Sequence, residues 1–455
     1  MKKELFSILK VYVSTWFITL LVFIIIGYRS DLSILESIKF FGEALTRLNF
    51  VVALHIFFLT IYIIYLIFRY FIRIYKKKGV KTMIKQFSFR LLIPVLVLYG
   101  TIQLIVINNS SENLQYTWDN TVENISGCSN DLYRIDGKHR GMSVFGWNNS
   151  NNEKGIDDLV RTNVEWVAVI PFFYQENEKT LEMGTPKTVG QWSKRDSLFI
   201  KTIRQLKDKN IHVMLKPHLW LGSGWRSNIT QTSSSDWDTW FESYRSNMLH
   251  YAKLAAMTNV ELLCIGTELK SSLKSQPAQW RTLLKEIKTV YKGKLTYAAN
   301  WDGEYELIDF WDELDYIGIQ AYFPLTLNSN PNLDTIKNGW DTHMNMLSEL
   351  SKKHQKPVLF TEIGYKSESS ATIKPWEWGS FFSILTKQKS DRTQQLAYQA
   401  LYQQLWHKDW FAGTYIWQWN TRSEKENAPT NLDFSPRYKP AENVITKWYG
   451  NYSLK

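Results

Sequence analysis

Leu262-Leu263-Cys264-Ile265-Gly266-Thr267-Glu268-Leu269 is an unbroken apolar run that ends on a carboxylate. Four apolar residues in a row, closed by Gly266 and Thr267, read as a strand covered on both faces, the pattern of a parallel sheet. A charge at the end of such a strand is costly unless it lines a cleft. The same plan returns roughly 90 residues later, room for three more strand–helix units, in Pro357-Val358-Leu359-Phe360-Thr361-Glu362-Ile363-Gly364-Tyr365.

Working outward, eight strands are expected: Met142–Trp147, Trp166–Phe172, His212–Pro217, Glu261–Gly266, Leu295–Ala299, Tyr316–Ala321, Val358–Thr361 and Thr414–Trp417. Helices are expected between most of them: near Ser197–Lys209, Trp237–Met257 (with Ser235 as N-cap), Pro277–Tyr291, Leu333–His354 and Arg392–His407. In the third, Trp280, Leu283, Leu284, Ile287 and Tyr291 share one face, and Pro277 suits the first turn. Glu442–Tyr449 reads as a closing helix. This alternation predicts an α/β fold, a (β/α)8 TIM barrel over residues 140–455. The other candidate, a doubly wound sheet, lacks a Gly-rich nucleotide loop after its first strand. Segments 175–195, 221–235 and 366–390 would be loops at the barrel mouth.

The first 108 residues read differently. Three apolar runs, 11–28, 48–68 and 91–108, are each long enough to cross a bilayer core of roughly 30 Å as a helix. A cleaved signal peptide is the competing reading of the first run, but two more runs follow it and no small-residue cleavage site is evident. The net charge of +11 is concentrated here. Residues 1–90 hold 14 Lys and Arg against 4 Asp and Glu, whereas the rest of the chain is nearly neutral. That distribution argues against nucleic acid as a partner. Arg69, Arg73, Lys76, Lys77, Lys78, Lys81, Lys85 and Arg90 lie between the second and third runs with no acid among them. The positive-inside rule then predicts a multi-pass cell-membrane protein with the N-terminus and the 69–90 segment cytoplasmic and everything after Asn108 extracytoplasmic. Anionic lipid is a compatible partner for the basic segment. Residues 109–139, rich in Asn, Ser and Asp, read as a linker.

The two cysteines, Cys128 and Cys264, do not suggest a disulfide, because Cys264 sits inside the core strand. Of 20 Trp, all but Trp16 lie beyond residue 110. Core packing takes some of them; the surplus also suits a cleft that stacks on sugar rings. No cluster has metal-ligand spacing and no cofactor loop is visible, so neither metal nor cofactor is expected.

Barrel chemistry sits at the C-terminal ends of the strands. Glu268 and Glu362 would close the fourth and seventh strands, and two facing carboxylates suit glycoside hydrolysis, one as acid and base, the other as nucleophile. Their separation, which decides retention or inversion, stays open at this level. By position, His218, Asn300, Trp301, Gln320 and Tyr322 join them as sugar-contact candidates. So do Trp417 and Trp419, two apart and expected on one strand face, with Lys216 and Trp147 as further candidates.

Cys264-Ile265-Gly266-Thr267-Glu268-Leu269 and Leu359-Phe360-Thr361-Glu362-Ile363-Gly364-Tyr365 resemble glycoside hydrolase family 113 of the clan A barrel hydrolases. Lys216-Pro217-His218, Trp417-Gln418-Trp419, Phe434-Ser435-Pro436 and Lys439-Pro440-Ala441 share in the resemblance, which covers about residues 140–450. It implies a retaining enzyme acting on β-1,4-mannan, with Glu268 as acid/base, Glu362 as nucleophile and Tyr322 hydrogen-bonded to that nucleophile. One departure is that the clan usually places Asn just before the acid/base, where it contacts the sugar 2-hydroxyl, and this chain has Thr267. Two readings from other classes are a non-catalytic carbohydrate-binding barrel and an accessory hydrolase of an envelope polysaccharide system.

Overall fold

The computed structural model describes residues 2–29, 33–46, 48–110, 114, 116–122, 131–147, 152–184, 192–380, 382–421 and 430–450. They divide into two compact units, Met1–Gln103 and Leu104–Lys455.

The first unit is helical. Helix α1 (Lys2–Arg29) is followed by α2 (Ile34–Leu45), α3 (Leu48–Phe87), a π-turn over Ser88–Leu92 and α4 (Ile93–Ser110), which runs into the second unit. Helix α2 occupies a stretch expected to be loop, started by a capping box between Ser33 and Glu36. Helix α3 is interrupted at Gly79, where φ 75° and ψ 173° suit glycine. Around Gly79 the chain folds back: the Tyr70 hydroxyl donates to Gln86 at 3.1 Å, and the Phe71 and Phe87 rings lie 5.2 Å apart. A straight helix would hold residues 16 apart at roughly 24 Å. Helix α1 lies antiparallel to α3, with Ser7 against Tyr65, Tyr12 against Phe58 and Phe23 against Phe50. Two stretches, Phe6–Tyr28 and Phe50–Ser110, are long and apolar enough to cross a membrane, and side chains such as Phe17, Ile26, Val97 and Leu98 are exposed.

The second unit opens with the short α5 (Tyr133–Asp136) and then alternates. The order is β1 (His139–Phe145), α6 (Glu153–Arg161), β2 (Trp166–Val169), β3 (Phe172–Gln175), α7 (Lys194–Asp208), β4 (His212–Leu215) and β5 (His218–Leu221). Then come α8 (Ser234–Met257), β6 (Leu262–Thr267), α9 (Lys270–Ser275), α10 (Pro277–Val290), β7 (Lys294–Asn300), β8 (Tyr316–Gln320) and α11 (Leu333–His354). The chain ends with β9 (Val358–Ile363), α12 (Asp391–Leu405), β10 (Phe411–Asn420) and α13 (Pro440–Gly450). Eight parallel strands close a barrel in the order β1-β10-β9-β8-β7-β6-β4-β2. Side chains such as Trp166, Met214, Leu262, Cys264, Leu359 and Tyr415 fill the barrel interior. Their neighbours, including Leu263, Ile265, Ile317 and Phe360, pack outward against the helices, so each strand is apolar on both faces. Cys264 is a buried free thiol; Cys128 lies outside the described residues.

Two features differ from expectation. The second strand stops at Val169, and Pro171 and Pro217 separate β2 from β3 and β4 from β5; β3 and β5 pair as a small parallel sheet of their own. Proline cannot donate to a ladder, so the barrel strands end there and the chain realigns. Helix α8 is capped by Ser233, not Ser235, because Ser233 forms the reciprocal capping box with Asp236. The described part of the 109–139 linker makes contacts with the barrel. Tyr116 donates to Glu442, the Arg161 guanidinium lies 3.9 Å over the Trp118 ring, and the backbone N–H groups of Leu132 and Tyr133 donate to Glu165.

Candidate active site

The fourth and seventh barrel strands, β6 and β9, deliver the two glutamates to one cleft of about 620 Å³ at their C-terminal ends. Glu268 follows the last residue of β6 with φ 53°, a left-handed turn that takes the chain out of the strand and its side chain into the cleft. Its N–H donates to the Ala298 carbonyl at 3.0 Å and its carbonyl accepts from the Ser227 hydroxyl at 2.9 Å, so neighbouring elements hold the turn in place. Asn300, the last residue of β7, donates its amide to Glu268 Oε1 at 2.8 Å, and Arg226 donates to Oε2. Burial pushes the Glu268 carboxyl above its ordinary value and the Glu362 charge adds to this, while Arg226 and Lys216 pull the other way.

Glu362 lies within β9 and both its oxygens are taken. The Lys216 ammonium donates to Oε1 and the Tyr322 hydroxyl to Oε2 at 3.1 Å. Lys216, fully buried at the end of β4, also donates to Gln320 Oε1 at 2.8 Å, and the Thr361 hydroxyl reaches the same Gln320 oxygen at 3.4 Å. Glu362 is thus oriented by an ammonium and a phenol, whereas Glu268, equally buried, is held by a guanidinium and an amide and has its carboxyl raised by burial. Two carboxyls in unlike surroundings are what acid and nucleophile roles require.

His218, at the start of β5, lines the cleft, and neither ring nitrogen has a partner among the described residues. Burial, with Arg226 and Lys216 nearby, holds it well below the ordinary histidine range, so the ring is neutral and its N–H is free for a ligand. Asn300, Trp301, Gln320, Tyr322 and Trp417 also line the cleft. Lys216 and Thr267 are buried behind it.

Two expectations fail. Trp147 packs in the layer between strands and helices rather than on the cleft. Trp419 does too, although Trp417 faces the barrel interior. Ser143 and Val144 are neighbours on β1 yet pair with Trp417 and Trp419, so Gln418 is an extra residue on β10 and the alternation of faces is broken between the two rings. The Trp417–Gln418 peptide bond is cis.

Several cleft residues were not singled out in the sequence. Phe172, Trp220, Trp225 and Arg226 stand on one side, and Asp302, Trp376, Trp378 and Phe434 join Trp301 around it. Half of them lie in segments 221–235 and 366–390, which the sequence marks as mouth loops; the clustering of Trp225-Arg226 and Trp376/Trp378 there was the available signal. Among the described residues no group of His, Cys, Asp and Glu is placed to hold a metal ion.

Residues 140–439 match the profile of Glycoside Hydrolase Family 113. Among solved structures, a GH113 β-1,4-mannanase is similar at 27% identity and a TM-score of 0.59, covering 69% of this chain and 99% of its own. The GH113 β-mannanase of Alicyclobacillus acidocaldarius, solved in complex with ManMIm, is 25% identical with a TM-score of 0.60, covering 69% of this chain and 97% of its own. None of the curated proteins matches the sequence.

Proposed function

The chain belongs to glycoside hydrolase family 113, and from that premise we propose that it is a membrane-anchored, retaining endo-β-1,4-mannanase-like enzyme. The observation that carries the chemistry is the pair of buried glutamates on one cleft, one held by Arg226 and Asn300 with its carboxyl raised by burial, the other held by Lys216 and Tyr322. In the first step the Glu362 carboxylate attacks the anomeric carbon while Glu268 gives its proton to the departing glycosidic oxygen. In the second, Glu268 takes a proton from water, and that water displaces Glu362 from the sugar. Lys216 and Tyr322 orient the attacking oxygen. The neutral His218 ring and the Asn300 and Gln320 amides are the groups positioned for sugar hydroxyls.

Endo action on a polymer is supported by the exposed indoles flanking the two acids. Trp220 and Trp225 stand on one side, and the Trp301–Trp376 stack, with centroids 4.8 Å apart, stands on the other. Anchoring is supported by apolar helices whose side chains face outward in the protein alone. So large an exposed apolar surface needs a covering, and a bilayer supplies it. The extracytoplasmic side for the barrel follows from the basic residues near the Gly79 turn.

The test uses the full chain in detergent with a panel of β-linked polysaccharides, β-1,4-mannan among them. New reducing ends are expected from mannan. Glu362→Gln should lower the rate by at least about 10³-fold while leaving the melting profile of the barrel in place. The anomer released first, read by proton NMR, should be β; an α product would exclude the double displacement. A well-folded chain that cleaves no polymer but binds mannan would instead support a carbohydrate-binding barrel.

A further inference from the structure

A third buried carboxyl stands directly behind the site. Glu304 opens a 3-10 turn (Glu304–Glu306) just after β7, and Gly303, with φ 72°, lets the chain reverse so tightly that its side chain points back into the protein. Glu304 is fully buried and does not line the cleft, so it is not positioned to touch a sugar. Its Oε1 accepts from the Tyr297 hydroxyl at 2.7 Å and its Oε2 from the Asn300 backbone N–H at 2.7 Å. Each donor leads to Glu268. The Asn300 side chain donates to Glu268 Oε1 at 2.8 Å, and the Tyr297 hydroxyl accepts from the N–H of Leu269, the peptide that follows Glu268, at 2.8 Å.

We propose that Glu304 is a positioning residue for the acid/base glutamate, fixing the Asn300 amide on its carboxyl and the Tyr297 hydroxyl on its backbone. This rests on the assignment of Glu268 as acid/base. The left-handed backbone at Glu268 is an uncommon conformation for a non-glycine residue, and it persists only where its surroundings hold it. Glu304 reaches it from two directions with one rigid carboxyl.

The arrangement also couples two ionisations. The two donors suit a carboxylate, since with Glu304 ionised every donor in the relay finds an acceptor. Burial opposes that charge and prevails, pushing the Glu304 carboxyl up to about 8; Tyr297 and the Asn300 N–H favour its charge, Glu268 disfavours it and Arg226 favours it. Glu268 in turn faces Arg226, Glu362 and Lys216, and Tyr322 beyond Glu362 feels both acids. Because Glu268 and Glu304 repel, a molecule that has ionised Glu304 holds the Glu268 proton more tightly. Wherever the two ionisations overlap, the native enzyme retains its acid further into alkaline pH than a variant with a permanently neutral residue there.

The test is Glu304→Gln in the full chain, with activity on mannan followed against pH. Glutamine keeps the shape but presents an N–H where an oxygen accepted. A kcat about ten-fold lower at nearly unchanged KM is expected, less than the roughly 10²-fold that a 1 Å misplacement costs. The alkaline limb should also move to lower pH, and Glu304→Asp, which keeps the ionisation, should restore part of it. An unaltered kcat, or a loss confined to KM, overturns the proposal. Should Glu304→Gln fail to fold, Tyr297→Phe removes only a hydroxyl of the relay and should shift the limb the same way. An inactive native chain would count against the mannanase reading and not against this one, because an infrared pH titration reports on Glu304 without substrate. A protonated-carboxyl band titrating near pH 8 and missing from Glu304→Gln is expected; the same band in both proteins overturns it.

Discussion

Arg226 is the residue on which the site's pH behaviour turns. It donates to Glu268 and lies with its guanidinium 4.4 Å over the Trp225 ring, so it is a fixed cation beside the proton donor. Burial raises the Glu268 carboxyl and Arg226 lowers it. Glu268 must enter the first step protonated, so activity is lost as pH rises through its folded value. In Arg226→Met burial and the Glu362 charge are no longer opposed by the guanidinium, the folded value rises, and the alkaline limb of kcat/KM should move to higher pH. The sign is opposite to that expected for Glu304→Gln, and the two profiles measured side by side separate a lost counter-charge from a lost neighbouring acid. A limb that stays in place in Arg226→Met would mean that the ion pair does not persist in the enzyme–substrate complex. The two glutamates were legible in the sequence because each closes an apolar strand with a charge that the core does not tolerate. Arg226 was not, because a cation in a Ser-rich loop carries no periodic signal, and only the fold brings it to Glu268.

At the scale of elements, the barrel strands set the acids and the loops set what they act on. The small β3–β5 sheet extends two barrel strands beyond the prolines and carries Phe172, His218 and Trp220 to the cleft. The β5–α8 connection adds Trp225, and the connection after β9 adds Trp376 and Trp378. If these loops form the outer sugar subsites, Trp225→Ala and Trp376→Ala should each weaken long-chain substrates by about 1 kcal/mol, roughly five-fold in KM, the scale of a ring contact beyond its burial. A disaccharide glycoside that fills only the central subsites should be hydrolysed almost as before. Equal losses on both substrates would instead place these rings at the reaction centre. The strands themselves were read from the sequence to within a few residues, because a strand buried on both faces is a continuous apolar run. What periodicity could not supply was the local break. Trp417 and Trp419 look like one face of a regular strand, and the extra residue at Gln418 turns them to opposite sides. The contacts of the 109–139 linker carry no periodic signal either: Tyr116 and Trp118 are isolated aromatics in a polar stretch, and their partners, Glu442 and Arg161, lie far along the chain.

For the whole molecule the proposed anchoring raises the question of how many times the chain would cross a bilayer. Phe50–Ser110 taken as one helix of 61 residues would be roughly 90 Å long, about three times the hydrocarbon core, so it is no single span. The contacts across Gly79 resolve this, because Tyr70 against Gln86 and Phe71 against Phe87 require two antiparallel arms joined by a turn. Helix α1 runs antiparallel to the first arm, so α1 and the two arms alternate in direction, with the short α2 between α1 and the first arm in sequence. Lys76, Lys77, Lys78 and Lys81 cluster at the turn, on the same side as Lys2 and Lys3 in this antiparallel order. Placing that side in the cytoplasm puts the third arm's far end, and the barrel after it, outside. The chain should therefore remain with the membrane fraction after alkaline carbonate washing. In right-side-out vesicles, added protease should release the barrel while a tag at the N-terminus stays protected. A barrel protected until detergent is added would reverse the orientation, and release by carbonate alone would mean that the helices bind the surface without crossing it. The orientation also bears on the chemistry: a retaining hydrolase facing outward on a tether meets polymers at the cell surface, so vesicles of the correct polarity should cleave added mannan without detergent. Activity that appears only after solubilisation would mean that the cleft faces the vesicle interior.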